Sequence, residues 1–186
     1  MKKYLILVGS PPACGKSYVS MELAKLLNNP VYLDKDTIIP LSKKVFEAGD
    51  QPYNRDSEFF KQYVRDAEYE AIMAISLESL AFNDHVIINA PFSKELRDDQ
   101  YIDDLKEQLE PYEAELITVW VHCDIEVCHD RMIERASDRD TWKLANWDKY
   151  INSQNFSLPQ IHDIHVIDNS NAENFQADIQ TLLKVL

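Results

Sequence analysis

Glycine is scarce. The 186 residues contain three, Gly9, Gly15 and Gly49, which excludes glycine-rich linkers and low-complexity tracts as major components. Cysteine is also sparse and odd in number: Cys14 stands alone and Cys123 precedes Cys128 by five positions. That spacing gives neither a disulfide framework nor a paired C-x-x-C zinc pattern, so all three are read as reduced thiols and no structural metal is expected. Basic residues are outnumbered, 19 Lys+Arg against 32 Asp+Glu, for a net charge of −13. A chain of this sign, with a sequence pI of about 4.7, repels phosphate backbones at long range, so sequence-independent nucleic-acid binding is not expected. Long apolar runs are missing too. Tyr4–Val8 and Leu116–Val121 are strand-sized and far below the ~20 residues of a membrane span. Met1-Lys2-Lys3-Tyr4 begins like a signal peptide, but the apolar run continues into Gly9 and Lys16 with no small-residue cleavage site, and a cytoplasmic address is expected.

What is present describes an ordinary globule, 45% apolar and 27% charged. Tyr4–Val8 is a continuous, partly β-branched apolar run ended by glycine and prolines, the pattern of a strand covered on both sheet faces. Val31–Leu33, Val86–Ile88, Leu116–Val121 and Ile164–Ile167 repeat it. Between them the pattern predicts helices over Lys16–Leu27, Thr37–Glu47, Asp56–Ala81, Lys94–Leu109 and Ile125–Ala136, with a last one reaching Leu186. The long Asp56–Ala81 helix is expected to bury Phe60, Val64, Ala67, Ala71 and Ile75. Alternation without a linker implies a single α/β domain over residues 1–186, a parallel sheet with helices on both faces and ligands at the carboxyl ends of its strands.

The strongest chemical signal lies between the first strand and the first helix: Gly9-Ser10-Pro11-Pro12-Ala13-Cys14-Gly15-Lys16-Ser17. A loop there can surround a phosphate with backbone N–H groups and a helix N-terminus, a lysine neutralises it, and a serine hydroxyl binds Mg²⁺. The nucleotide-binding set is therefore taken as Gly9, Ser10, Ala13, Cys14, Gly15, Lys16, Ser17 and Tyr18, with Ser17 as a metal ligand. Ser10 occupies the position that the phosphate-loop pattern gives to its first glycine, so a slightly enlarged loop is expected. Pro11 and Pro12 lack N–H groups, which leaves the phosphate contacts to Ala13–Ser17.

Asp34 and Asp36 end the second strand, where alternation sends both to one side. Asp34 suits a Mg²⁺-bound water, and Asp36 suits the acceptance of a proton from an attacking hydroxyl; helix capping by Asp36 is the alternative. Arg131, Arg135 and Arg139 recur every four residues and suggest a clamp on the transferring phosphoryl group, the alternative being surface pairing with Asp130, Glu134 and Asp138. Asn89 ends the third strand, where many such proteins keep an acid. His122 and His165 read as core histidines, and Trp142 and Trp147 either cover a base or dock a helix. Asp168-Asn169-Ser170 is positioned for an adenine.

With these residues the sequence resembles P-loop kinases of the nucleotide-kinase-like group, in particular the small zeta-toxin-like or AAA-type ATP-binding proteins. The resemblance rests on Gly9–Ser17, Leu33–Asp36, Val86–Pro91 and Arg131–Trp147. It implies strand order 2-3-1-4-5, a lid within 131–147, and ATP with Mg²⁺ as cofactors. Aspartates spaced like Asp34 and Asp36 also occur in shikimate kinase, but Asn89-Ala90-Pro91 replaces that enzyme's triple-glycine turn. The expected activity is transfer of the γ-phosphoryl of MgATP to a hydroxyl of a small polar molecule, with Lys16, Asp36, Arg131, Arg135 and Arg139 as catalytic residues. A nucleotide-binding regulatory module and a toxin-type kinase of a nucleotide sugar are the alternatives. Arg55, Arg65 and Arg97 are candidates for holding an anionic acceptor, and a monomer or homodimer is expected.

Overall fold

The computed structural model describes residues 2–137 and 140–186. Tyr4–Val8 are all buried because β1 (Lys3–Gly9) is central: it pairs in parallel with β3 (His85–Asn89) on one side and β4 (Ala114–His122) on the other. β2 (Val31–Asp34) joins β3 and β5 (Ile164–Asp168) joins β4, giving the order β2-β3-β1-β4-β5. This is the parallel α/β sheet that the alternating pattern and the resemblance imply.

Alternation along β1 divides the core. Tyr4, Ile6 and Val8 pack on one face with Val19 and Leu23 of α1 (Lys16–Leu26) and with Phe175, Ile179 and Leu182 of the C-terminal helix (Ala172–Leu183). Leu5 and Leu7 pack on the other face with Tyr69, Ile72 and Leu80, and with Ile102, Leu105 and Leu109. A fully buried leucine contributes ~1.5–3 kcal/mol by leaving water, so this two-sided core carries the fold.

The register fixes the rim of the sheet where a site can form. Val8 and Asp34 both lie beside Asn89, and Gly9 lies beside Trp120, so the carboxyl ends of three central strands meet next to the loop that follows β1. β5 is an edge strand with an exposed Val166, and His165 on it and His122 at the end of β4 are partly exposed rather than core residues.

Three local departures from the sequence pattern matter. β2 stops at Asp34, and Lys35–Ile38 form a 3-10 turn before α2 (Ile39–Ala48), so Asp36 is not a strand residue. The capping role belongs to Asp34, whose carboxylate accepts the Asp36 N–H at 2.9 Å. The long helix breaks at Val64 (φ −121°) into α3 (Glu58–Tyr63) and α4 (Arg65–Leu80). Phe60 and Val64 pack with Phe46, whereas Tyr69, Ile72 and Leu80 pack on the sheet, and these two partners set two helix directions. After the break the buried row is Glu68, Ile72, Ser76 and Leu80; Ile75, expected inside, is 43% exposed. Lys94–Leu109 likewise divides, because Asp98 caps α5 (Asp99–Leu109) by accepting the Gln100 and Tyr101 N–H groups.

After β4 come α6 (Ile125–Arg135), α7 (Thr141–Ala145), α8 (Trp147–Ser153) and α9, the C-terminal Ala172–Leu183 helix. Trp147 packs against His129 and Tyr150, while Trp142 is exposed. Among the described residues no helix is long and apolar enough to cross a membrane.

Candidate functional site

The loop between β1 and α1 has two left-handed residues, Ala13 (φ 67°) and Gly15 (φ 85°). Gly15 is needed twice over: its φ disfavours any side chain, and a Cβ would lie 2.1 Å from Asn169 Nδ2. That amide donates to the Cys14 carbonyl at 2.9 Å and ties the loop to the end of β5. No side chain caps the N-terminus of α1, so its first-turn N–H groups are free to meet an anion. Gly9 has a different duty: a Cβ there would press on Leu96 at 2.7 Å and the Pro91 carbonyl at 3.1 Å. The Ser10 N–H is used by the Pro91 carbonyl, and the buried Cys14 thiol sits 3.7 Å from Cys128 Sγ. All three cysteines are free thiols.

Beneath the loop, Asn89 is the hub. Its carbonyl oxygen accepts from Lys16 Nζ, and its Nδ2 donates to Asp34 Oδ2 at 2.7 Å and Ser17 Oγ at 3.0 Å, with the Tyr32 hydroxyl 3.1 Å away. One amide therefore aligns the Lys16 ammonium, the Ser17 hydroxyl and the Asp34 carboxylate. Burial pushes the Lys16 amine down to about 8, against the opposing pull of Asp34 and Asp36.

Ser17 and Asp34 supply hard oxygen donors within reach of the same amide, the donor set Mg²⁺ favours when phosphates complete its shell. Among the described residues no group of three or more His, Cys, Asp or Glu is arranged to hold a metal by itself.

The loop opens on a cavity of about 710 Å³. Ser10, Ala13, Gly15, Lys16, Ser17 and Tyr18 line it, as do Asp36, Arg131 and Arg135; Gly9, Cys14 and Asp34 do not. Arg131 donates to the Asn169 carbonyl at 2.8 Å and approaches Cys123 Sγ at 3.2 Å. Arg135 pairs with Asp140, as does Lys143 at 3.1 Å. Asp140 is fully buried; burial pushes its carboxyl up, but the hydrogen bonds from Lys143 and Arg135 outweigh this and hold it below the usual range. The alternative, pairing of Arg131 and Arg135 with Asp130 and Glu134, is not seen among the described residues; Asp138 and Arg139 lie outside them.

A second cavity of about 410 Å³ adjoins Gly15, lined by Tyr18, Arg131, Asn169, Asn171, Ala172 and Phe175, with the Tyr18 and Phe175 rings 5.2 Å apart. It lies where the sequence placed an adenine, at the end of β5.

The sequence reading missed Asn89 as the organiser, and missed Lys35 and Glu68 entirely. Lys35 and Glu68 are each 2% exposed and paired; Arg55 donates to both Glu68 oxygens at 2.9 and 2.8 Å, and Ser42 adds a hydrogen bond. The available signal was Glu68 falling in the four-residue row of Phe60, Val64 and Ile72.

No curated protein matches the sequence. Solved structures do match in fold. A candidate kinase from Chloroflexus aurantiacus J-10-fl has 19% identity, both chains fully covered and a TM-score of 0.67. Chaetomium thermophilum Kti12, in complex with ADP-AlF3, has 16% identity, 97% of each chain covered and a TM-score of 0.60. A gluconokinase from Sinorhizobium meliloti 1021 has 16% identity, 97% of this chain and 91% of its own covered, and a TM-score of 0.58. At these identities the likeness is one of fold, and it agrees with the strand order and the loop described above. The model of one protein family, described as an AAA domain, matches residues 5–156, and the chain belongs to that family.

Proposed function

We propose that the protein is an ATP-dependent phosphotransferase that moves the γ-phosphoryl of MgATP to a hydroxyl of a small polar acceptor. One observation carries the reading: Lys16, Ser17 and Asp34 converge on Asn89 beneath an uncapped helix N-terminus, while the exposed Asp36 carboxylate faces the same cavity.

In this mechanism the N–H groups of Ala13–Ser17 and the Lys16 ammonium bind the phosphates. Ser17, with Asp34 acting through water, would hold Mg²⁺, which supplies charge neutralisation on the phosphate oxygens. Asp36 accepts the proton of the acceptor hydroxyl as the oxygen attacks in line. Arg131 and Arg135 stabilise charge on the transferring group, with Asp140 keeping Arg135 aligned. The segment 131–147 serves as the lid, and the smaller cavity between Tyr18 and Phe175 receives the base.

The test is a phosphorylation screen over sugars, sugar acids, nucleosides and nucleotide sugars, repeated with Asp36→Asn. The amide keeps size but takes no proton at neutral pH, so transfer is expected to fall by ~10²–10⁴-fold while MgATP affinity and melting temperature are retained. Unchanged transfer in Asp36→Asn removes Asp36 as the base. No acceptor-stimulated turnover by the wild type removes the phosphotransferase reading.

A further inference from the structure

We propose that the acceptor is itself an anion, a hydroxylated phosphate monoester or carboxylate, and that Arg55 and Arg65, assisted by Lys35, hold its charged group. This deepens the phosphotransferase reading and rests on it.

The protein as a whole carries a net charge of −13. The wall of the main cavity inverts that sign, with seven Lys and Arg side chains against Asp36 and Asp56. Four of the cations, Lys16, Arg131, Arg135 and Lys143, belong to α1 and the α6–α7 region around the phosphate loop. Together with the loop N–H groups they match a triphosphate. The other three come from the 3-10 turn after β2, the loop before α3 and the first residue of α4. A nucleotide on the loop leaves this second group without a ligand.

In this second group Arg55 and Arg65 are partly exposed, whereas Lys35 is buried with its ammonium on Glu68. The counter-ions of this group stand off the cavity: Glu68 and Glu95 are buried behind the wall, Asp66 is exposed beside Arg65, and none of the three lines the cavity. Arg55 spends two N–H groups on Glu68, which leaves Nε–H and two further N–H groups. Arg65 gives one nitrogen to Glu95 at 2.7 Å and the other to Asp66 at 2.8 Å. Both guanidinium planes are also braced by aromatic rings, Arg55 over Phe60 and Arg65 over Tyr69, each 4.6 Å from the ring centroid.

Burying several charges at one place is costly, and apolar side chains of similar volume generally stabilise a fold as well or better. Fixed guanidinium forks on a cavity wall match the planar or tetrahedral oxygens of carboxylate and phosphate. Asp36 follows Lys35 directly and lines the same wall, so an acceptor anchored by its anionic group presents a nearby hydroxyl to the base. Arg97, the third candidate from sequence, lies outside the cavity, donating to the Ser157 carbonyl at 2.6 Å with its guanidinium over Trp120.

The experiment uses the full chain saturated with the non-hydrolysable analogue AMPPNP and Mg²⁺, which occupies the phosphate loop. Inorganic phosphate, D-gluconate and D-glucose are then titrated at millimolar concentrations by calorimetry, with thermal melts in parallel. At least one anion is expected to bind and raise the melting temperature while glucose does not; phosphate over gluconate, or the reverse, names the anionic group. Arg55→Gln, which leaves Glu68 with Lys35 and Ser42, should weaken anion binding about tenfold or more. The double variant Arg65→Gln, Glu95→Gln should do the same without orphaning a buried carboxylate. Failure of AMPPNP to bind the wild type would sink the phosphotransferase reading. Nucleotide bound with both anions refused, or with anion affinity equal in wild type and both arginine variants, would overturn this inference alone.

Discussion

The cavity has two walls built by different means. The phosphate-loop wall comes from consecutive residues, Ser10–Tyr18, and owes its shape to two left-handed residues and to the amides of Asn89 and Asn169. The opposite wall presents Lys35, Arg55 and Arg65, braced from behind by Ser42, Glu68 and Glu95, and owes its shape to charged side chains that hold one another. A backbone cradle recognises what all nucleotides share, whereas a side-chain lattice can be retuned one residue at a time. In the proposed phosphotransferase the first wall is the general half of the site and the second is where selectivity resides.

Glu68→Ala should produce the largest effect on the side-chain wall. It strands the almost fully buried Lys35 without a counter-ion, which typically costs ~3–5 kcal/mol. The expected drop in melting temperature is about 10 °C or more, with nucleotide affinity per folded molecule held within a few-fold. Equal damage to nucleotide binding would show that the two walls are one unit.

Lys16→Ala attacks the backbone wall in return. Turnover is expected to fall by ~10²–10³ and MgATP affinity with it, by loss of the cation beneath the phosphates. Melting should change little, because the variant also removes a desolvated charge. Calorimetry and rate measurements on the same preparation check both parts.

Asn89→Ala sharpens the contrast, since it removes the shared partner of Lys16, Ser17 and Asp34 and touches none of the opposite wall. MgATP affinity should weaken by roughly tenfold, the scale of one lost hydrogen bond to a charged group, while anion binding in the presence of nucleotide is retained.

The smallest effect is a pH dependence specific to the loop. With Lys16 titrating at about 8 in the free protein and held protonated by bound phosphate, binding takes up a proton. Affinity is then full below pH 8 and lost as pH rises through it, by about tenfold between pH 7 and pH 9. The Lys16→Ala variant should show a flat profile over that range.

The same division governs what could be read from the sequence. Tyr4–Val8 announces a central strand because five adjacent apolar residues fit a strand covered on both faces, and Gly15-Lys16-Ser17 stands out because the motif is contiguous in the chain, although the partners of its side chains are not. Asp36 could be placed near the end of β2 by its position, although its 3-10 setting was not legible. The break at Val64 was hidden because no proline or glycine marks it; it follows from Phe46 and the sheet drawing the chain in two directions. Lys35 and Glu68 look like solvent-facing charges until residues 33 positions apart are brought together. The role of Asn89 depends on β3 placing it between the ends of β1 and β2, which register alone determines.

That amide has a consequence for the order of events. With Asn89 in place of an acid, Asp34 is, among the described residues, the only carboxylate bonded into the cluster, and it already accepts from Asn89 and from the Asp36 N–H. The cluster before ligand binding pairs one cation with one anion and is close to neutral, too weak an attraction to strip water from a divalent ion. Metal and nucleotide should therefore arrive as one complex, so that Mg²⁺ alone leaves thermal stability unchanged at millimolar concentrations and the on-rate follows the concentration of MgATP rather than that of either component.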